Sequence, residues 1–234
     1  MSPAQSVNDD ACARAVVVVA QDDSWVAVDK PAGLPSVPGR KPELADCAWS
    51  RVMRRWADAL VVHRLDMATS GLLLFARGIE AQRSLSRAFA EREVRKTYVA
   101  LVHGHVAGNA GEIALPLAAD WPHRPRQIVD HDRGKRSLTR WRVAARSAGT
   151  PQTLLTLEPL TGRSHQLRVH LAAIGHPIVG DALYGGDSGT ALSDPGRPMR
   201  LHALSIELVH PASGVRTTLR TQEPPWMQAG TGSA

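Results

Sequence analysis

Apolar positions along the chain follow two rhythms. Short β-rich runs at Ala15–Ala20 and Trp25–Asp29, separated by Gln21-Asp22-Asp23-Ser24, predict a hairpin. Further runs at Leu72–Ala76, Val94–Val106, Thr153–Glu158, Leu201–Val209 and Val215–Arg220 predict strands. The last two close as a hairpin through Pro211-Ala212-Ser213-Gly214. Helical spacing recurs in three places. Leu44, Ala48, Val52 and Trp56 predict a helix over 43–58. Ala81, Leu85, Ala88 and Phe89 share one face over Ile79–Glu93, with Arg83, Arg87 and Arg92 elsewhere around the cylinder. Leu167, Leu171 and Ile174 form a third stripe, which Thr161 or Ser164 can cap and Gly175 can end in the left-handed conformation. Strands outnumber helices and do not alternate with them. This predicts an α+β fold, a mixed, mainly antiparallel sheet with flanking helices.

The 234 residues suffice for one large domain or two small lobes, and no linker or internal repeat divides them. The reading is a single domain over 15–222, with a disordered polar lead over 1–14 and a tail over 223–234. A Gly/Ser/Pro-rich stretch over 186–198 is expected to be mobile. No apolar run is long enough to span a membrane, and no signal-like segment opens the chain, so the expected location is the cytoplasm. Cys12 and Cys47 form no CxxC pair and are expected to be free thiols. His103-Gly104-His105 and the pair His165 and His170 lack the acidic or thiol company of a metal site, so no metal is expected.

Charge adds a partner class. The net charge is +6, and the stretch from Asp120 to Arg146 carries eight Arg or Lys against three Asp, with Trp121 and Trp141 interleaved. Pro122, Pro125 and Gly134 make its first half a projecting loop. Basic side chains with aromatics suit phosphate contact and base stacking, whereas a solvated hairpin with its tryptophans folded under is the structural alternative.

Candidate chemistry centres on Asp66. An apolar approach, the polar knot Arg64 to Gly71 and a second apolar run read as strand, loop, strand, delivering a carboxylate from a tight turn. By itself Asp-x-x-Thr-Ser-Gly is more often a turn whose side chain bonds its own backbone. Three stretches widen the choice. His63-Arg64-Leu65-Asp66-Met67-Ala68-Thr69-Ser70-Gly71 resembles the catalytic signature of the RluA family of RNA pseudouridine synthases. Lys30-Pro31-Ala32-Gly33-Leu34 resembles the family's first motif, and Gly162-Arg163-Ser164-His165-Gln166-Leu167-Arg168 its third. Arg95-Lys96-Thr97-Tyr98 is similar to the segment bearing the family's tyrosine. The likeness spans about residues 20–220. It is strongest to members with dual rRNA and tRNA specificity that lack an S4 domain.

The resemblance implies the pseudouridine synthase fold with a central active-site cleft. It also implies a reaction that breaks the N1–C1′ bond of a uridine, turns the base and rejoins it through C5. Asp66 would be the essential carboxylate, attacking C1′ or serving a glycal route. Arg168 would hold it ionised in a bidentate pair, and Tyr98 would lie against the flipped base. His63, Arg64, Leu167, Lys96, Arg124 and Arg126 would contact substrate or RNA. No cofactor is implied, the RNA would be 23S rRNA, tRNA or both, and the protein would act as a monomer. A non-catalytic assembly factor on the same scaffold is the alternative. A hydrolytic glycosidase would need a second carboxylate that the Asp66 motif lacks.

Overall fold

The computed structural model describes residues 15–185 and 198–229; the expected lead and residues 186–197 of the Gly/Ser/Pro-rich stretch lie outside them. The chain forms two compact units, one from Met1–Val94 with Ser205–Thr221 and one from Arg95–Leu204 with Gln222–Ala234.

In the first unit, strands β1 (Val17–Gln21) and β2 (Trp25–Lys30) form the expected hairpin. Asp22 closes its turn by accepting from the backbone N–H groups of Ser24 and Trp25, at 2.7 and 3.0 Å. This is the Asx turn that a short acidic connector favours. Strand β3 (Ala59–Val61) and β2 both pair with β4 (Ser70–Arg77), all antiparallel. Both β2 and β4 are buried along nearly their whole length, which accounts for their unbroken apolar runs. Trp25, Ala27, Leu72 and Leu74 make the core with Leu85 of the helix over Ile79–Ala90. That amphipathic helix forms where its spacing predicts it. It is the second of the chain (α2).

The helix expected over 43–58 is shorter. A 3-10 turn occupies Pro42–Leu44, and helix α1 runs only from Ala48 to Met53. Extended Cys47 resets the start, because its sulfur accepts from Ser50 N while the Ser50 hydroxyl accepts from Cys47 N. This reciprocal box satisfies the free N–H groups of a helix N-terminus, so the helix begins after Cys47.

The second unit is built on β5 (Arg95–His103), β6 (Ala110–Ile113), β9 (Thr139–Arg146) and β10 (Gln152–Pro159), in the antiparallel order β5-β10-β9-β6. Arg95, Glu158, Arg140 and Glu112 alternate in sign across these four strands. Arg95 reaches Glu158 at 3.4 Å and Arg140 reaches Glu112 at 2.7 Å. Cross-strand pairing of this kind supports register more than stability, since the groups are solvated. Strand β5 stops at His103 rather than Val106 because Gly104 turns the backbone with φ +82°. The projecting loop of the basic stretch is the tip of a small hairpin, β7 (Leu117–Ala119) and β8 (Gln127–Val129).

Helix α3 runs from Gln166 to Ala173. Its end follows the expectation: Gly175 is left-handed at φ +83°, its N–H bonds Ala172 O, and His176 N bonds Leu171 O. Its start does not. Neither Thr161 nor Ser164 caps it, and left-handed His165 precedes its first turn. Thr161 instead donates to the Gln166 side-chain oxygen, which also accepts from Arg163 N. Every residue from Gln166 to Leu171 is buried, so polar side chains share the interior with the expected stripe. His170 meets Ser137 and Thr139 hydroxyls and the Leu115 carbonyl, and its burial depresses its pKa.

The strand β11 (Leu201–Val209) leads from the second unit into the first. Its Ser205–Val209 half pairs with β12 (Arg216–Arg220) as the expected closing hairpin. The tail opens with a single-turn helix, α4, over Trp226–Ala229. No helix among the described residues is long and apolar enough to cross a membrane.

Candidate active site

The Asp66 turn is held by the loop that follows β2. Lys30 is fully buried, and its ammonium donates to the carbonyls of Pro31, Leu34 and Met67 at 2.9, 2.8 and 3.1 Å. Gly33 N donates to the same Met67 carbonyl at 2.8 Å. On the other flank, the Ser36 hydroxyl donates to Leu65 O at 2.7 Å and accepts from Leu65 N at 3.0 Å. The backbone on both sides of Asp66 is therefore fixed by residues 30–36. Asp66 O accepts from Thr69 N at 3.0 Å, closing the turn, and Gly71 follows at φ +108°. The Asp66 side chain is half-buried, between buried Leu65 and Met67, which is 50% exposed. The clamps give this half-buried carboxylate a rigid mount.

The electrostatics of the mount follow from burial. Desolvation draws Lys30 down to about 7, against the pull of Asp66 and Asp29, which favour its charged form. Burial likewise raises Asp29. Three carbonyl acceptors match the three protons of an ammonium, so the geometry suits the cation. Lys30→Met is expected to destabilise the protein by about 2–4 kcal/mol, because it leaves buried carbonyls unpaired. Urea unfolding of the variant measures it.

Arg64 is exposed beside this turn. His63, expected at the RNA surface, stacks on Phe89 with ring centroids 4.6 Å apart, and its Nε2 accepts from Leu74 N at 2.9 Å. In the second unit, Lys96 and Tyr98 lie half-buried on one side of β5, as period two requires, with Tyr98 opposite Leu157 of β10. Leu167 and Arg168 are buried in the first turn of α3. Arg168 forms a side-on fork with Asp181, Nε to Oδ2 and Nη2 to Oδ1, both 2.7 Å. A cation early in a helix calls for an acid nearby. Asp181 supplies one that the sequence reading did not single out.

The hairpin tip over 120–126 presents Trp121, 69% exposed, with the Arg124 guanidinium 3.4 Å above its ring. The tryptophan is therefore not folded under. Arg126 lies 5.6 Å from the Tyr184 ring, and its Nε is buried without a hydrogen-bond partner among the described residues.

Comparison with known proteins decides the family. The family model for RNA pseudouridylate synthase matches residues 24–173. The chain belongs to the RNA pseudouridylate synthase family. It is 47% identical over 199 residues to the dual-specificity RNA pseudouridine synthase RluA of Vibrio vulnificus, covering 84% of this chain and 78% of that one. It is 44% identical to the RluA of Escherichia coli K12 over 205 residues, 88% of this chain and 92% of the relative. Among solved structures, human RNA pseudouridylate synthase domain containing 1 superposes with a TM-score of 0.75 at 31% identity, covering 91% of this chain and 85% of that one. The protein is an RNA pseudouridine synthase, an isomerase with the family's α+β fold. Within this synthase, Lys30, quoted in the first motif without a role of its own, and Asp181, not singled out in the sequence, hold the elements that carry Asp66 and Arg168.

Proposed function

We propose that this synthase isomerises a specific uridine of structured RNA, in a tRNA anticodon stem-loop, in 23S rRNA or in both, with Asp66 as the essential carboxylate. The observation that carries the reading is the double backbone clamp that fixes Asp66 while leaving its side chain half-exposed. Family membership and the name shared by the RluA relatives, dual-specificity RNA pseudouridine synthase, support the RNA class.

In this reading the target uridine leaves its stack to reach the carboxylate. Asp66 reacts ionised, Arg168 supplies the positive partner, and Tyr98 assists removal of the C5 proton after the base has turned. Leu167 packs on the base, while His63, Arg64 and Lys96 meet neighbouring nucleotides. Isomerisation rearranges bonds within one nucleoside, so the reaction calls for no cofactor. The residues over 15–222 serve as one catalytic domain, and the protein works as a monomer in the cytoplasm.

The hairpin tip provides backbone contact and stacking. An arginine laid on an exposed indole, with a second arginine, Arg126, two residues on, suits phosphates and an unpaired base. Neutralising Arg124 and Arg126 together is expected to weaken RNA binding and lower the salt slope by about 1–2. Titrations at several salt concentrations check it, and an unchanged slope returns the tip to a solvated face. The reading as a whole is tested by incubating the purified protein with tRNA and 23S rRNA transcripts and mapping pseudouridine. One or a few modified positions are expected, and none on either RNA defeats it.

A further inference from the structure

A second acid lies outside the motifs that carry the proposed chemistry. Asp181, 1% exposed, follows α3 in a stretch with no regular secondary structure. Its Oδ1 accepts from Arg168 Nη2 at 2.7 Å, Leu183 N at 2.9 Å and Tyr184 N at 3.2 Å, and its Oδ2 accepts from Arg168 Nε at 2.7 Å. The Arg168 and Asp181 side chains are 5% and 0% exposed. The guanidinium is thus gripped along its Nε edge by a carboxylate that backbone amides hold in turn. Its carbon also lies 5.0 Å from the centre of the Tyr184 ring. Edge and face together leave one orientation, in which Nη1 points away from Asp181.

Tyr184 carries the arrangement further. Its hydroxyl accepts from Gln127 N at 2.7 Å, at the base of the basic hairpin tip, and meets His165 Nδ1 at 2.7 Å, just before α3. The turn 181–184 therefore touches both the arginine assigned to the reaction and the hairpin assigned to RNA binding.

We infer that Asp181 is a positioning residue of the isomerisation, acting through Arg168, and that the Tyr184 hydroxyl separately anchors the RNA-binding hairpin. The inference rests on the function proposed above. An Asp181 that merely stabilised the fold would lower rate and binding together, in proportion to the protein lost. A positioning residue slows the chemical step of folded, RNA-bound enzyme, because a displacement of about 1 Å at a reacting group costs about 10²-fold.

The test is single-turnover pseudouridine formation at saturating enzyme, with RNA affinity and folded fraction measured in parallel. Asp181→Asn is expected to lower the saturated rate about 10²-fold with RNA affinity within about threefold. Tyr184→Phe, which keeps the ring against Arg168 but loses the hydroxyl's bonds to Gln127 N and His165 Nδ1, is expected to weaken RNA binding about fivefold. Should Asp181→Asn fail to fold, Asp181→Glu keeps the charge but displaces the fork, and a rate at least about tenfold below wild type is expected. A wild-type rate in the folded Asp181 variant overturns the inference, as does a rate that falls only with the folded fraction. An unchanged RNA affinity in Tyr184→Phe removes the hairpin anchor. Wild-type turnover reports on the proposed function itself, so the two failures are told apart.

Discussion

Asp66→Asn is expected to abolish pseudouridine formation, lowering the single-turnover rate by at least about four orders of magnitude, while RNA affinity changes little. Asparagine has nearly the same shape, and the clamps from Lys30, Gly33 and Ser36 act on the backbone of residues 65 and 67 rather than on the Asp66 side chain. The turn is therefore expected to keep its form, so the variant removes a charge and a nucleophilic oxygen and little else. It also removes a negative neighbour of Lys30, whose pKa should move further down from about 7. Digestion of the product RNA to nucleosides, followed by chromatography, reads the outcome. Turnover by the purified variant contradicts the assignment of Asp66.

Arg168→Ala is expected to cost both activity and stability. It strands the fully buried Asp181 carboxylate with the amides of Leu183 and Tyr184 as the remaining partners of its side chain among the described residues. Removing one partner of a buried ion pair costs about 3–5 kcal/mol, a large share of the roughly 5–15 kcal/mol that holds a domain together. A fall of about 10 °C in Tm follows at this chain length. The double variant Arg168→Ala with Asp181→Ala should regain part of the stability, since no lone charge remains, and none of the activity. Calorimetry with an activity assay separates the two effects, and unchanged melting and kinetics in Arg168→Ala remove the ion pair from the account.

What the sequence revealed and what it hid follow from the carriers of each signal. The β1–β2 hairpin, α2 and the Gly175 stop were legible because periodicity and glycine conformation are local properties of the chain. The 43–58 helix misread because Leu44, Ala48, Val52 and Trp56 keep helical spacing straight across Cys47, which is a rare cap. The start of α3 misread because Thr161 spends its hydroxyl on Gln166. Lys30 opens the first family motif in the sequence, but nothing there marks it as buried. Its partners are backbone carbonyls, which carry no residue identity and leave no mark in the sequence. Asp181 was hidden for a different reason. A buried arginine demands an acid, but which acid folds back onto α3 is decided by the return of the chain. Local pattern put Asp66 forward while leaving it open to a turn role, and family motifs gave it its chemistry; Tyr98 and Arg168 owe theirs to those motifs, since by pattern alone Tyr98 is a strand tyrosine.

Pseudouridine mapping of total RNA from cells with and without the gene addresses the central claim most directly. The account predicts that deletion removes pseudouridine from one or a few discrete positions in tRNA, 23S rRNA or both. The intact gene should restore them, and a copy carrying Asp66→Asn should not. Identical maps with and without the gene, or full restoration by the Asn copy, would contradict it.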